Sequence, residues 1–512
     1  MALLSLANNS SFLIAVVFGV FVVLTSLVLY LFQKPPFPKN APQYYSETWP
    51  LLGAMHFFTQ RWDYYRRGVA SSKTGNFTFH AGPYPVVALS GEGSRKVFFE
   101  HKNLGFGEGY GALLGGSPDV KVDNNPLAES ATGSAEFGQY FTRRLTALLK
   151  GPVLKNGLPQ LLKDARTHFD DLANDHSGIT NPFDSIYRMI FHFTMRTVAC
   201  NDVANNPELL EQCLHHFETI EGTGTPLSIM YPWMPVPAKF KRLYAGAQLY
   251  RIFQNVVNER KRTGIKDDDA LQFLIDHDDS ITDILTFVLG SLFAGQLNSG
   301  INASFILCYL ASNDYWMKRV RDEVNNVAEK YCPGTDLPLK DRLMRVPIEA
   351  WEGEFPNIDL CLKDTIRLQM SGAAFRKNTS NVDIPLGESG EVIPAGAYVT
   401  LGVGDMHYNP NVYPNPAEWD PARYERGEDK KETYGWVGWG VARHPCLGMR
   451  FAKLENNLIV AMFLAYFDDV QLLDGNKRPM AKVPKCNWNN HTARKPDVKI
   501  QLKYSLRQDG KA

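Results

Sequence analysis

The chain has 512 residues, with 54 basic against 54 acidic side chains, 44% hydrophobic residues and 12% aromatics. Zero formal net charge excludes the basic excess that phosphate contacts demand, so no nucleic-acid partner is expected, and near-average glycine and proline (40 and 31) exclude collagen-like and low-complexity chains. Seven scattered cysteines without a Cys-x-x-Cys pair exclude a disulfide framework and a cysteine-rich zinc site, and they fit a reducing compartment.

Residues 12–32 read FLIAVVFGVFVVLTSLVLYLF, an uncharged run long enough at about 1.5 Å per residue to cross a hydrocarbon core of about 30 Å. It predicts a transmembrane anchor rather than a cleaved signal peptide, because it outruns an h-region and no basic segment precedes it. Lys34 and Lys39 follow the span, so the positive-inside rule places the remainder in the cytosol. Residues 33–40 form a proline-rich stem that cannot extend the helix, and residues 41–512 read as one large body without repeats or linkers.

Within the body, Gly105 to Ala112 carries a Gly-x-Gly-x-x-Ala pattern, but no strand precedes it and no βαβ unit follows, so dinucleotide binding is rejected. Leu227 to Pro237 is an apolar, proline-interrupted segment suited to a membrane-facing loop. Ser280 to Ser312 opens on capping residues and stays apolar nearly all round, which predicts a buried helix on the order of 50 Å long. Amphipathic helices follow at about 313–331 and 356–368, and residues 384–403 turn to strand character. The predicted fold is mainly α with a smaller β part.

Trp439-Gly440-Val441-Ala442-Arg443-His444-Pro445-Cys446-Leu447-Gly448 precedes a helical run. A cysteine before a helix, beside Arg and His, is expected to have a lowered thiol pKa and backbone N–H groups around its sulfur. Without other Cys or His at zinc spacing, one thiolate fits axial ligation of haem iron; the alternative is a small buried hydrophobe.

The segment resembles the haem-binding loop of cytochromes P450, Phe-x-x-Gly-x-Arg-x-Cys-x-Gly, with Trp439, Ala442 and His444 as departures. Asp364-Thr365-Ile366-Arg367 corresponds to the family's Glu-x-x-Arg pair, and Arg423 to the arginine of its Pro-x-Arg-Phe segment. The resemblance implies a P450 fold after one transmembrane helix, haem b held by Cys446, and a buried network of Asp364, Arg367 and Arg423. It implies propionate partners in His444, Arg376 and Arg144 or its neighbour Arg143, with Trp439, Gly440 and Gly448 shaping the loop.

In the long helix, Ala294-Gly295-Gln296-Leu297-Asn298-Ser299 occupies the place of the family's oxygen-activating segment, with Leu297 and Asn298 replacing its acid and Thr. Gly295 is expected to leave room for O₂, and Asn298 with Ser299 to hold a proton-delivering water. Phe287, Leu292 and Leu297 are expected to wall the pocket.

The expected activity is insertion of one oxygen atom from O₂ into a lipophilic small molecule of secondary metabolism, a terpenoid, alkaloid or polyketide. NADPH electrons would come through a P450 reductase docking on Lys430, Lys431, Arg443, Arg450 and Lys453, at a single-pass endoplasmic reticulum protein facing the cytosol. The look is that of fungal secondary-metabolism P450s and, distantly, of sterol 14α-demethylases, although their Phe-Gly-x-x-Val-x-Tyr-Asp segment is not evident near residues 113–120. The alternatives are a P450-like peroxide isomerase or dehydratase that needs no reductase, and a non-catalytic haem sensor.

Overall fold

The computed structural model describes residues 16–23, 25, 26, 30, 32–114, 130–369, 372–387, 389–490 and 494–508; for 130–137 it describes the backbone alone. The predicted anchor lies partly outside these residues. Of its described residues, 16–23, 25, 26 and 30 are helical, with Val17, Phe18, Phe21 and Val23 exposed. The stem docks on the body: the Pro35 carbonyl meets His80 Nε2 at 2.7 Å, the Phe37 ring lies 4.8 Å from that imidazole, and Phe32 lies 4.9 Å from Tyr231.

The centre of the body is the helix Ile281–Ala311, hereafter the central helix. Ser280 caps it with a reciprocal box, its hydroxyl accepting from Asp283 N–H while the Asp283 carboxylate reaches back. From Ser299 to Leu310 every residue is buried, which explains the lack of a polar stripe. Close approach to the helix Pro182–Val198 is set by Gly300, where an added Cβ would stand 2.8 Å from the Tyr187 ring. Two polar ties flank that crossing: Gln296 Nε2 donates to Tyr187 O at 2.8 Å, and Ser304 Oγ to Pro182 O at 2.8 Å.

Helices Asp314–Tyr331, Pro356–Gln369 and Met449–Tyr466 pack around it, close to the predicted bounds. The main sheet is formed by β1 (Phe77–Ala81), β2 (Tyr84–Leu89), β3 (Leu104–Gly105), β4 (Ala373–Asn378) and β5 (Tyr398–Gly402), in the order β1-β2-β5-β4-β3. The predicted strand region 384–403 divides into Ile384–Pro385, Val392–Ile393 and β5. In β4, Phe375 pairs with Thr400 of β5, and the first residues, Ala373 and Ala374, keep some exposure.

Two segments add to the sequence reading. A short strand, Leu104–Gly105, does precede the glycine pattern, and Phe106–Leu113 is a helix seated on β4; Gly109 permits it, because a Cβ there would lie 2.5 Å from the Arg376 backbone. Leu227 to Pro237 contains the short helix Pro226–Met230, whose Ile229 and Met230 are buried, while Trp233 is exposed.

Candidate active site

The loop before the helix Met449–Tyr466 turns tightly around Cys446. Cys446 N–H donates to Trp439 O at 2.7 Å, His444 N–H to Val441 O at 3.2 Å, and Gly440 N–H to Val437 O at 2.9 Å. Gly440, at φ +67°, is obligatory, since a Cβ there would meet His444 O at 2.2 Å. Ala442 also takes a positive φ, +52°, so the turn survives the loss of the family's glycine with its left-handed backbone intact, at a cost of about 1 kcal/mol. At Gly448 an added Cβ would touch nothing, and its contribution is its N–H.

Cys446 is the exposed one among seven free cysteines, yet burial pushes its thiol above the ordinary range while N–H groups of Gly448 and Met449 pull it down. This corrects the expected lowered thiol. Arg443 and His444 are not among the groups acting on the sulfur, and two amides alone do not offset desolvation.

A histidine and an arginine flank the loop. His444 stacks on Phe106 at 5.3 Å, and burial with the nearby Arg376 and Arg443 pushes it down to about 4. Arg376 is buried over the Phe98 and Phe106 rings, 4.8 and 4.9 Å from their centroids, and donates to Phe375 O at 2.7 Å. Its Nε has no acceptor among the described residues.

Arg144 is different. Its guanidinium forms a bidentate pair with Asp279, at 2.9 and 2.5 Å, and Tyr140 donates to the same carboxylate at 2.9 Å. It is not a spare cation for a propionate, and Arg143 is exposed.

Midway along the central helix a strip keeps some exposure: Ala294 is exposed and Gly290, Leu297 and Asn298 are half-buried, as are the adjoining Leu289, Phe293 and Gly295. Asn298 Nδ2 donates to Ala294 O at 3.0 Å, one turn back. A Cβ at Gly295 would have Thr194 of the neighbouring helix as its nearest contact, 3.8 Å away. Phe287 and Leu292 are core residues, with Phe287 packed on Phe141 at 5.5 Å.

Ser299, adjoining Asn298, hydrogen-bonds the fully buried Glu455 of the helix after Cys446. Burial pushes that carboxyl up to about 8, so it is held protonated, and its Oε2 has no partner among the described residues. Glu455 is invisible to sequence reasoning because nothing local marks it as facing Ser299.

Below the loop lies the charged network. Asp364 and Arg367 are fully buried at 0% and Arg423 at 1% exposure. Asp364 accepts from Arg367 Nε at 2.7 Å, Tyr424 Oη at 3.1 Å and Asp420 N–H at 2.6 Å, and lies 3.5 Å from Arg423 Nε. Glu428 is a fourth member, 3.0 Å from Arg423 Nη1. Arg367 Nη1 also donates to His407 O at 2.9 Å, and His407 Nε2 accepts Val437 N–H at 3.1 Å, which ties the network to the start of the cysteine loop. Burial holds His407 down to about 3, so that nitrogen remains an acceptor.

The family model described as Cytochrome P450 matches residues 46–485. The chain belongs to the cytochrome P450 family. Cytochrome P450 monooxygenase AacuE of Aspergillus aculeatus is 36% identical over 86% of this chain and 88% of its own length. Cytochrome P450 monooxygenase nsrP of Aspergillus novofumigatus is 34% identical over 87% of each. Obtusifoliol 14-alpha demethylase of Triticum aestivum is more distant, at 23% over 64% of this chain and 71% of its own. In fold, the retinoic acid-bound cyanobacterial CYP120A1 is similar with a TM-score of 0.69 over 92% of this chain and all of that one, at 20% identity. This P450 is thus an oxidoreductase of the monooxygenase class.

The residues fit haem, the family's cofactor. The loop offers one sulfur addressed by two N–H groups, and beside it the buried Arg376 has no carboxylate partner among the described residues, which is a demand for an anion that a propionate meets, while the neutral His444 adds a hydrogen-bond donor.

Proposed function

We propose that this P450 hydroxylates a lipophilic small molecule, with Cys446 as axial ligand of haem b and Arg376 and His444 as propionate partners. The carrying observation is Cys446: the one exposed cysteine, at the end of a tight loop before a helix, with the N–H groups of Gly448 and Met449 directed at its sulfur. Bound there, haem supplies reductive activation of O₂, with thiolate donation favouring O–O cleavage. Substrate, O₂, two electrons from NADPH through a reductase, and two protons yield alcohol and water.

The chain's own residues bind, orient and protonate. Asn298 keeps its amide nitrogen on Ala294 O, so its carbonyl oxygen is the atom that holds a water on the open strip. Ser299 and the protonated Glu455 form a proton store behind that strip. Gly295 lies beside Thr194 of the neighbouring helix, and Arg144 is already engaged by Asp279.

The anchor, the docked stem and the exposed Trp233 support attachment to the endoplasmic reticulum membrane with the body in the cytosol. On the proximal face, Arg450 is paired with Glu352 and Lys453 with Asp359, and Lys431 donates to Val412 O. Lys430 and Arg443 are left as the exposed cations for an acidic reductase. The relatives' printed names support the monooxygenase class, and the secondary-metabolite substrate class is our extension.

The test is the reduced carbon monoxide spectrum. Wild type is expected to give the band at about 450 nm that thiolate ligation produces, and Cys446→Ala to lose it while Cys486→Ala keeps it. A band retained in Cys446→Ala would overturn the assignment.

A further inference from the structure

Among the described residues eight arginines are buried. Six have a carboxylate at ion-pair distance: Arg95 with Glu432, Arg144 with Asp279, Arg196 with Asp164, Arg260 with Asp269, Arg367 with Asp364 and Arg423 with Glu428. Arg376 is the seventh, and haem propionates answer it. The eighth, Arg61, is 3% exposed, and its Nε, Nη1 and Nη2 all lack an acceptor.

Nothing local explains this cation. Arg61 opens the helix Arg61–Ser71, where the backbone dipole favours an anion instead. The neighbouring Asp63 is held by Asn489, whose Nδ2 donates to it at 2.8 Å. The guanidinium lies over Phe57, Phe58 and Phe375, at 4.2, 5.6 and 5.3 Å from their centroids. Rings hold a cation in place and leave its N–H groups unsatisfied. Burial without an opposing charge pushes even this guanidinium down to about 9.

Its position leads to the haem loop. Phe375 directly follows the partly exposed Ala373 and Ala374; Tyr110 stands edge-on to Phe375 at 5.4 Å, Phe106 lies 4.5 Å from Tyr110, and Phe106 stacks on His444, two residues from Cys446. The same apolar cluster takes in Leu227, Ile229 and Met230 of the membrane-side segment.

We propose that Arg61 is a substrate-recognition residue, which pairs with a carboxylate at one end of a lipophilic substrate whose other end reaches the Cys446 side of the pocket. This rests on the monooxygenase reading and narrows its substrate to lipophilic acids. The Phe57 and Phe58 rings lie against the guanidinium, so an acid would pair with it only by displacing them.

The test uses full-length holoenzyme in detergent, with dodecanoate and methyl dodecanoate as probes, read by tryptophan fluorescence, by the Soret shift and by the thermal midpoint. Wild type should bind the acid roughly 10- to 100-fold more tightly than the ester, the range for charged hydrogen bonds. Arg61→Met should bring the ratio to about one by weakening the acid alone, and its unliganded midpoint should equal or exceed wild type, because an uncompensated buried cation is gone. Arg61→Lys should restore part of the preference.

Equal binding of acid and ester by wild type would overturn the proposal. So would an unchanged ratio in Arg61→Met with a lowered midpoint, which would make Arg61 a packing residue. Fluorescence and melting do not depend on thiolate ligation, so failure here with an intact 450 nm band leaves the monooxygenase reading standing, and loss of that band in wild type strikes the reading itself.

Discussion

Replacing Asp364 by Ala tests whether the buried network supports the cysteine loop. The network holds two cations, Arg367 and Arg423, and two carboxylates, Asp364 and Glu428, so it is neutral as built. Removal of Asp364 leaves one positive charge uncompensated in a fully closed site, and orphans the Tyr424 hydroxyl and the Asp420 N–H as well. Breaking a buried pair from one side costs about 3–5 kcal/mol. Unfolding entropy of about 2.1 cal/mol/K per residue, over a body of roughly 470 residues, converts this into a melting shift of about 4 °C. Urea unfolding followed by tryptophan fluorescence gives the free energy, and the share of the carbon monoxide complex that keeps the thiolate band reports on the loop through His407 and Val437. Asp364→Asn, which keeps shape and one acceptor, should fall between wild type and Ala. Added salt should rescue neither variant, because the site is closed to ions. An Asp364→Ala protein within 1 kcal/mol of wild type, with its band intact, would refute the argument.

Two glycines of the central helix should respond in opposite directions. Gly295→Ala places a methyl at ordinary contact distance from Thr194 and removes a flexible residue, so urea unfolding should show a gain of about 0.5–1 kcal/mol with turnover unharmed. Gly300→Ala drives a methyl into Tyr187 and should cost about 1–3 kcal/mol in the same assay. Glu455→Gln should change the pH dependence of stability. The folded carboxyl is raised to about 8, so its contribution is whole below about pH 4.5, the unfolded value, and is lost as pH climbs to about 8. Wild type should therefore lose on the order of 4 kcal/mol relative to Glu455→Gln between pH 4.5 and 8, and parallel curves would dismiss the raised carboxyl. Asn298→Ala should release more hydrogen peroxide per NADPH in a reductase-coupled assay, and unchanged coupling would remove Asn298 from proton delivery.

Legibility in the sequence followed the range of the interactions. The central helix was readable because its cap, Ser280 with Asp283, and its apolar run are local, and Asp364–Arg367 because three residues on a helix share a face. Arg144 misled because its partner, Asp279, lies 135 residues away, and no local pattern says that a cation is already neutralised. Gly295 and Gly300 look alike in the chain. Only the docking of the helix Pro182–Val198 makes the second indispensable and the first replaceable. The glycines of residues 105–112 offered only a dinucleotide-like pattern to reject, yet Gly109 is what lets a helix lie against the Arg376 backbone.

The departures of the cysteine loop from the family pattern can be weighed in the same terms. Ala442 keeps a left-handed backbone that glycine would adopt freely, so something other than its own preference enforces the turn. Gly440 supplies the closest approach, the Cys446 N–H to Trp439 O bond closes the turn, and the network beneath pins its start through Val437. His444 stands where the family has a permanent charge, and burial, with Arg376 and Arg443 beside it, holds it neutral. A neutral imidazole still donates one hydrogen bond to a propionate, and the arriving anion reverses the effect of Arg376 by favouring the protonated ring. The substitution therefore makes the positive charge on His444 depend on the partner it binds, where an arginine would carry that charge from the start.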